Sequence, residues 1–248
     1  MNLFKLISDI EQVDPEFSDR YSFYSRRNLL KFSSNLIAAG IPAIIAGTLN
    51  KALAQTTTAP SQAAIDVANF ALTLEYLEDE FYRTGLSTSG LVPSSDMAVI
   101  SQISKHETAH VALLKSALGA AAVAKPTFKF PAGTFTSYAT FLATARALED
   151  TGVQAYKGQA PVLINDKSIL AVALQIHSVE ARHASEVRRM LGLKGWVSDT
   201  TNTTFMQGTV NLKTLPNVTG ISDDNFRGAF DEPLTKAQVL AIAAPFLG

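Results

Sequence analysis

From Gln62 onward, apolar residues return every three or four positions in four long stretches, which is the mark of amphipathic helices. The pattern predicts a first helix over about Gln62–Arg83, ending in Thr84-Gly85. Ser94-Ser95-Asp96 makes a good start for a second, which runs to about Leu118-Gly119. A third covers about Phe135–Lys157 and stops at Gly158, and a fourth runs from near Asn165-Asp166 to about Met190-Leu191-Gly192. At 1.5 Å per residue these helices are roughly 33–39 Å long, which suits a bundle. The first and third connections are short and predict antiparallel hairpins. The middle one, Ala120–Thr134, carries Pro126 and Pro131 and reads as extended, and it reaches roughly 50 Å, enough to run the length of a bundle. The expected fold is therefore all-α: two hairpins joined by one long crossover, then a loop-rich C-terminal tail and a short helix from about Leu234 to Phe246.

Ahead of the bundle the pattern changes. Ser25-Arg26-Arg27-Asn28-Leu29-Leu30-Lys31 leads into an apolar run from Leu36 to Leu49, and then into Ala52-Leu53-Ala54-Gln55. A basic pair, a moderate apolar stretch and a small-x-small site come in the order of a cleavable export signal. The arginine pair resembles a twin-arginine signal, although Asn-Leu-Leu follows it in place of a small polar residue and Phe-Leu. The run is shorter than the roughly 20 residues that span a bilayer, and Gly40 and Pro42 weaken it as a helix, so no stable membrane insertion is expected after cleavage. The expected organisation is an export signal with a long lead (1–54), a linker (55–61), the bundle (62–192) and a wrapping tail with a short helix (193–248). The expected location is the periplasm or another exported compartment.

Composition narrows the chemistry. No cysteine is present, which removes disulfide scaffolds, Cys-ligated zinc and iron–sulfur clusters. The 21 basic and 22 acidic side chains nearly cancel, so no basic field exists to bind nucleic acid. Asn202-Thr203-Thr204 and Asn217-Val218-Thr219 match the glycosylation pattern, which a bacterial-type export signal makes irrelevant.

The helix seams carry the distinctive residues. The fourth reads Ile169, Ala173, Ile176, Glu180, His183, Val187, Met190, and the second reads Ile103, Glu107, His110, Leu114, Ala117. Each Glu-x-x-His puts two metal-binding groups on one helix face, in a stripe where a charge is otherwise unfavourable. The first seam, Ile65, Ala68, Leu72, Glu75, Asp79, Tyr82, and the third, Tyr138, Leu142, Ala145, Glu149, Gly152, Tyr156, each add a carboxylate seven residues before a tyrosine. Glu75 to Glu107 spans 32 residues and Glu149 to Glu180 spans 31, so the bundle is an internal repeat of one hairpin. Four buried carboxylates would repel and resist desolvation unless partnered. Two divalent cations cancel their charge, and the two imidazoles complete the donor set. Carboxylate-rich donors with one histidine per ion favour iron or manganese over zinc or copper, and iron is placed ahead of manganese.

This order of Glu, Glu-x-x-His, Glu, Glu-x-x-His resembles the ferritin-like di-iron and di-manganese carboxylate proteins over roughly Ala63 to Leu191. Three segments are similar to the exported ferritin-like family that includes desiccation-related proteins: Leu74–Tyr82, Ala147–Tyr156 and Phe230–Thr235. The resemblance implies that Glu75 and Glu149 are terminal ligands and that Glu107 and Glu180 bridge the ions. It further implies that His110 and His183 complete one ion each, with Tyr82 beside the metal. Dioxygen or peroxide is the expected reactant, in iron oxidation or stress protection, and a second copy of the chain is a candidate partner. Two alternatives remain: a manganese-catalase-like peroxide dismutase, and a non-enzymatic stress-related bundle with structural metals. Iron storage fits less well, because a long tail would clutter a symmetric shell.

Other residues read more plainly. Glu78 and Glu80 compete with Glu75 as the first-helix ligand. Glu78 lies on the neighbouring stripe with Leu74 and Phe81, and the repeated spacing to tyrosine favours Glu75. Asp150 points about 100° away from Glu149 and reads as a surface charge. His106 and His177 lie off the seam and read as surface or supporting groups. Tyr82 and Tyr156 are either bundle aromatics or supports and relays for the metals. Arg182 and Glu186 are expected in surface or supporting pairs, and Trp196 is expected to anchor the tail by packing.

Overall fold

The computed structural model describes residues 59–197, 229, 231 and 233–248. The export signal at 1–54, both glycosylation patterns and most of the tail lie outside these residues. Four long helices form: α1 (Gln62–Ser87), α2 (Met97–Leu118), α3 (Tyr138–Gln159) and α4 (Lys167–Met190). A short helix α5 (Lys236–Ala243) follows, continued by a 3-10 turn over Ala244–Phe246. None of the described helices is long and apolar enough to cross a membrane.

Local chemistry explains the helix starts. The Ser61 hydroxyl accepts the Ala64 amide ahead of α1, while Ser137 with Thr140, and Thr235 with Gln238, form capping boxes for α3 and α5. α2 ends at Gly119, whose φ of 54° is the left-handed conformation that glycine adopts at little cost.

Two other glycines were expected to end helices and do not. α1 continues through Gly85 to Ser87, and α3 continues through Gly158 to Gln159. A Cβ on Gly85 would lie 2.3 Å from the Phe141 ring, and one on Gly158 would lie 1.9 Å from the Leu234 carbonyl oxygen. Both mark close approaches between segments, where no side chain fits. α3 also begins three residues later than expected. Phe135 is left in the crossover, where it joins an aromatic cluster with Phe81, Phe130 and Phe141.

Contacts between helix ends fix the topology. The Asp166 carboxylate accepts the Ser61 amide and hydroxyl, both at 2.8 Å, so α1 and α4 start at the same end. Tyr138 donates to Asp96 at 2.7 Å, which brings the starts of α2 and α3 together. Gly85, near the end of α1, meets Phe141 in the first turn of α3. The two hairpins are therefore antiparallel, and the crossover runs the length of the bundle. It is tied down on the way: Asn69 bonds Ala121 and Val123, and Lys129 donates to Phe246 at 2.8 Å beside the isolated Phe128–Leu247 bridge.

Phe81 and Phe141 stack with centroids 4.8 Å apart, next to the buried Tyr82, and apolar layers from all four helices continue above and below. Full burial of such a ring contributes roughly 1.5–3 kcal/mol. α5 closes a smaller apolar cluster, in which Leu234, Val239 and Ala243 pack on Phe70, Leu74 and Ala155. Trp196 differs from expectation. It is 56% exposed, with Lys194 over its ring.

Candidate metal centre

Each helix brings its acidic seam position to the middle of the bundle. Two sets of four side chains result: Glu75, Glu107, His110 and Glu180, and Glu107, Glu149, Glu180 and His183. Within each set one donor atom per residue lies within 4.8 Å of all the others, and every member is buried. Glu107 and Glu180 belong to both sets. The His110 Nδ1 lies 3.1 Å from Glu75, 3.2 Å from Glu107 and 3.2 Å from Glu180. The His183 Nδ1 lies 2.9 Å from Glu107, 3.3 Å from Glu149 and 3.9 Å from Glu180. Each i, i+3 pair on its helix thus meets a carboxylate from the opposite hairpin.

A second layer fixes the outer carboxylates crosswise. Tyr82 on α1 donates to Glu149 Oε1 on α3, and Tyr156 on α3 donates to Glu75 Oε1 on α1, both at 2.5 Å. Each bond leaves the other oxygen of its carboxylate facing a histidine. The His183 Nε2 meets His106 Nδ1 at 2.9 Å, and His106 continues to Gln102 at 2.8 Å near the surface. With Nε2 engaged by His106, the Nδ1 of His183 is the nitrogen turned to the carboxylates.

Burial and mutual repulsion set the electrostatics of the centre. Burial, followed by the facing charges of Glu107 and Glu75, pushes Glu180 well above the usual carboxylate range. Burial also raises Glu107. It opposes ionisation of Glu75 too, but the neighbouring His110 outweighs it and holds that carboxyl below its ordinary value. Burial works against charge on both histidines; Glu75 nonetheless drives His110 far up, and Glu149 raises His183 to about 11. Burial, then the adjoining carboxylates, puts both tyrosines well above 10. Positive charge is favoured at this centre. Among the described residues Glu180 Oε2 is buried without a hydrogen-bond partner, while Glu107 Oε1, Glu149 Oε2, Glu180 Oε1 and His183 Nδ1 are buried and meet only one another or His110, without the alignment of a hydrogen bond. Unsatisfied oxygen and nitrogen donors converging on two points fit hard or borderline cations. These Glu and His groups could hold metal ions.

The remaining candidates fall outside the two sets. Glu80 pairs with Lys125 at 2.7 Å, away from the centre. Glu78 is buried beside the site without entering either set. His177 is half-buried near Val153 and Asp231. Glu186 pairs with Arg189 at 3.6 Å, and Arg182 is exposed.

Asp150 requires a correction. It lies outside the Glu/His cluster as expected but is 1% exposed, on a stretch of α3 where every residue from Leu148 to Tyr156 is buried. It is paired with Arg188 and lies 3.7 Å from Arg146, while burial raises its carboxyl to about 6 against the pull of Arg188. The i, i+4 spacing to Arg146 was a readable sign of this pairing. Asp79, a seam residue left unassigned, accepts from Thr108 at 2.7 Å and ties α1 to α2.

An all-α bundle with a buried Glu/His cluster at its centre defines the class. The model of the ferritin-like domain family matches residues 63–193, and the chain belongs to that family. No curated protein matches it.

Proposed function

We propose that this is an exported protein that binds two divalent cations, iron ahead of manganese, and reacts with dioxygen or peroxide in iron oxidation or stress protection. The ligands in this reading are Glu75, Glu107, His110, Glu149, Glu180 and His183. One observation carries it: two four-donor sets share Glu107 and Glu180, so each set could hold one cation. A bound iron or manganese pair would supply electrons to the oxidant, one from each ion. The chain's own residues do the rest. Tyr82 and Tyr156 hold the outer carboxylates at one oxygen each, and His106 orients His183. The apolar layers around the centre keep bulk water out.

The test is to load the metal-depleted protein with ferrous iron or manganese, add oxygen or peroxide, and follow absorbance and oxygen evolution. Stoichiometric oxidation of two irons per chain is expected. Sustained oxygen evolution from peroxide with manganese would indicate a catalase-like dismutase. Two tightly held ions without redox response would indicate a structural role, and failure to bind metal would overturn the reading. Export is tested separately: replacing Arg26-Arg27 with Lys-Lys should trap the precursor inside the cell, and normal secretion would refute the twin-arginine route.

A further inference from the structure

The internal repeat aligns Leu74-Glu75-Tyr76-Leu77-Glu78 with Leu148-Glu149-Asp150-Thr151-Gly152, and Tyr82 with Tyr156. With the second helix of each hairpin shifted by one residue, Glu107 and His110 align with Glu180 and His183, so each donor of the two sets has a counterpart in the other hairpin. One carboxylate beside them does not, because Glu78 falls opposite Gly152. The two positions meet in space. A Cβ on Gly152 would stand 2.9 Å from Glu180 Oε2 and 3.4 Å from Glu78 Oε1. A side chain there would crowd these two oxygens. Glu180 Oε2 is fully buried, has no hydrogen-bond partner among the described residues, and faces the same gap. Glu78 is only 3% exposed. A carboxylate so placed is costly to ionise unless a cation accompanies it.

We propose that Glu78 is a seventh donor to the cation centre, entering beside Glu180 through the gap over Gly152, and that it makes the two ion positions inequivalent. The inference rests on the dinuclear reading above. Glu78 does not replace Glu75: Glu75 is held in place by Tyr156 and His110, whereas Glu78 is free to swing on an unbranched side chain into space its repeat-mate leaves open.

Cobalt(II), which avoids oxygen chemistry, is the probe. The full chain is titrated by calorimetry and by visible absorption, with thermal melts as a check on folding. The wild-type protein should bind two ions in two resolved steps. Glu78→Gln should still bind two, but the tighter step should weaken on the order of 10–100-fold, as loss of a supporting ligand does, so that the steps merge and the spectrum changes. Gly152→Ala, which puts a methyl group against Glu180 Oε2 and Glu78 Oε1 and so crowds their approach, should have the same effect. Glu78→Asp, with the carboxylate drawn back by one methylene, should fall between and serves if Gly152→Ala does not fold. Two ions at unchanged affinities in Glu78→Gln, two equal affinities in the wild type, or loss of both ions together would each overturn the proposal alone. No cobalt bound to the folded wild-type protein would instead overturn the dinuclear reading beneath it.

Discussion

The two hairpins share one donor plan but differ in what surrounds it. α1 and α2 supply Glu75, Tyr82 and Glu107 with His110; α3 and α4 supply Glu149, Tyr156 and Glu180 with His183. Beyond these the halves diverge. Glu78 stands against Gly152, and His106, which supports His183, has Val179 as its counterpart before the second Glu-x-x-His. On the second half a buried Asp150–Arg188 pair backs α3, and Tyr76 occupies the matching place on α1. The charge to be balanced is common to both halves and holds the donors alike. Their supports answer to different neighbours and are free to differ.

The sharpest way to break the comparison is to remove a shared carboxylate and compare it with an unshared one. Glu107→Ala or Glu180→Ala should abolish metal pairing, whereas Glu75→Ala or Glu149→Ala should each cost one ion, measured by elemental analysis after desalting. His177→Ala should keep both ions. Equal losses across the series would make the ligand assignment wrong.

A second test exchanges protons for metal. In the chelated protein, His183 binds its proton far more tightly folded, near pH 11, than at its ordinary 6.5. His110, Glu107 and Glu180 shift in the same upward direction. The folded state therefore holds more protons than the unfolded one, so stability falls as pH rises. For His183 the stabilisation is complete below about pH 6.5 and is lost as pH climbs through about 11. Loading with iron or manganese should flatten this decline and raise the melting temperature. A chelated protein whose melting temperature does not change across that window would contradict the charge balance drawn here.

Smaller effects probe the supports. Tyr82→Phe and Tyr156→Phe should each cost about 1.5–3 kcal/mol in urea unfolding of the chelated protein, since each strands one oxygen of a buried carboxylate. Similar values would show the crossed pair to be balanced, and a large gap would show that one half carries the centre. His106→Ala should weaken the ion on the His183 side by roughly tenfold and spare the other, and equal weakening would remove its orienting role.

Much of this architecture was legible along the chain because it is periodic. The four seams, the long crossover and the convergence of Glu75, Glu107, His110, Glu149, Glu180 and His183 follow from charged residues interrupting an apolar stripe at repeated intervals. What escaped depends on partners from elsewhere in the chain. Gly85 and Gly158 looked like helix stops because a single strand of sequence cannot show Phe141 or the Leu234 carbonyl lying against them. Asp150 looked exposed because helical angle gives direction and says nothing of what covers that direction. Trp196 looked like an anchor on residue type alone, yet nothing in the adjoining sequence turns it inward.

The crossed tyrosine bonds have a consequence for ancestry. Each hairpin's tyrosine fastens the other's outer glutamate and not its own, and each donor set takes a carboxylate from both hairpins, so a solitary half-chain could not assemble even one complete donor set. If the present gene arose by duplication, its forerunner functioned only as a pair of identical molecules, and fusion made permanent a partnership that chemistry already required.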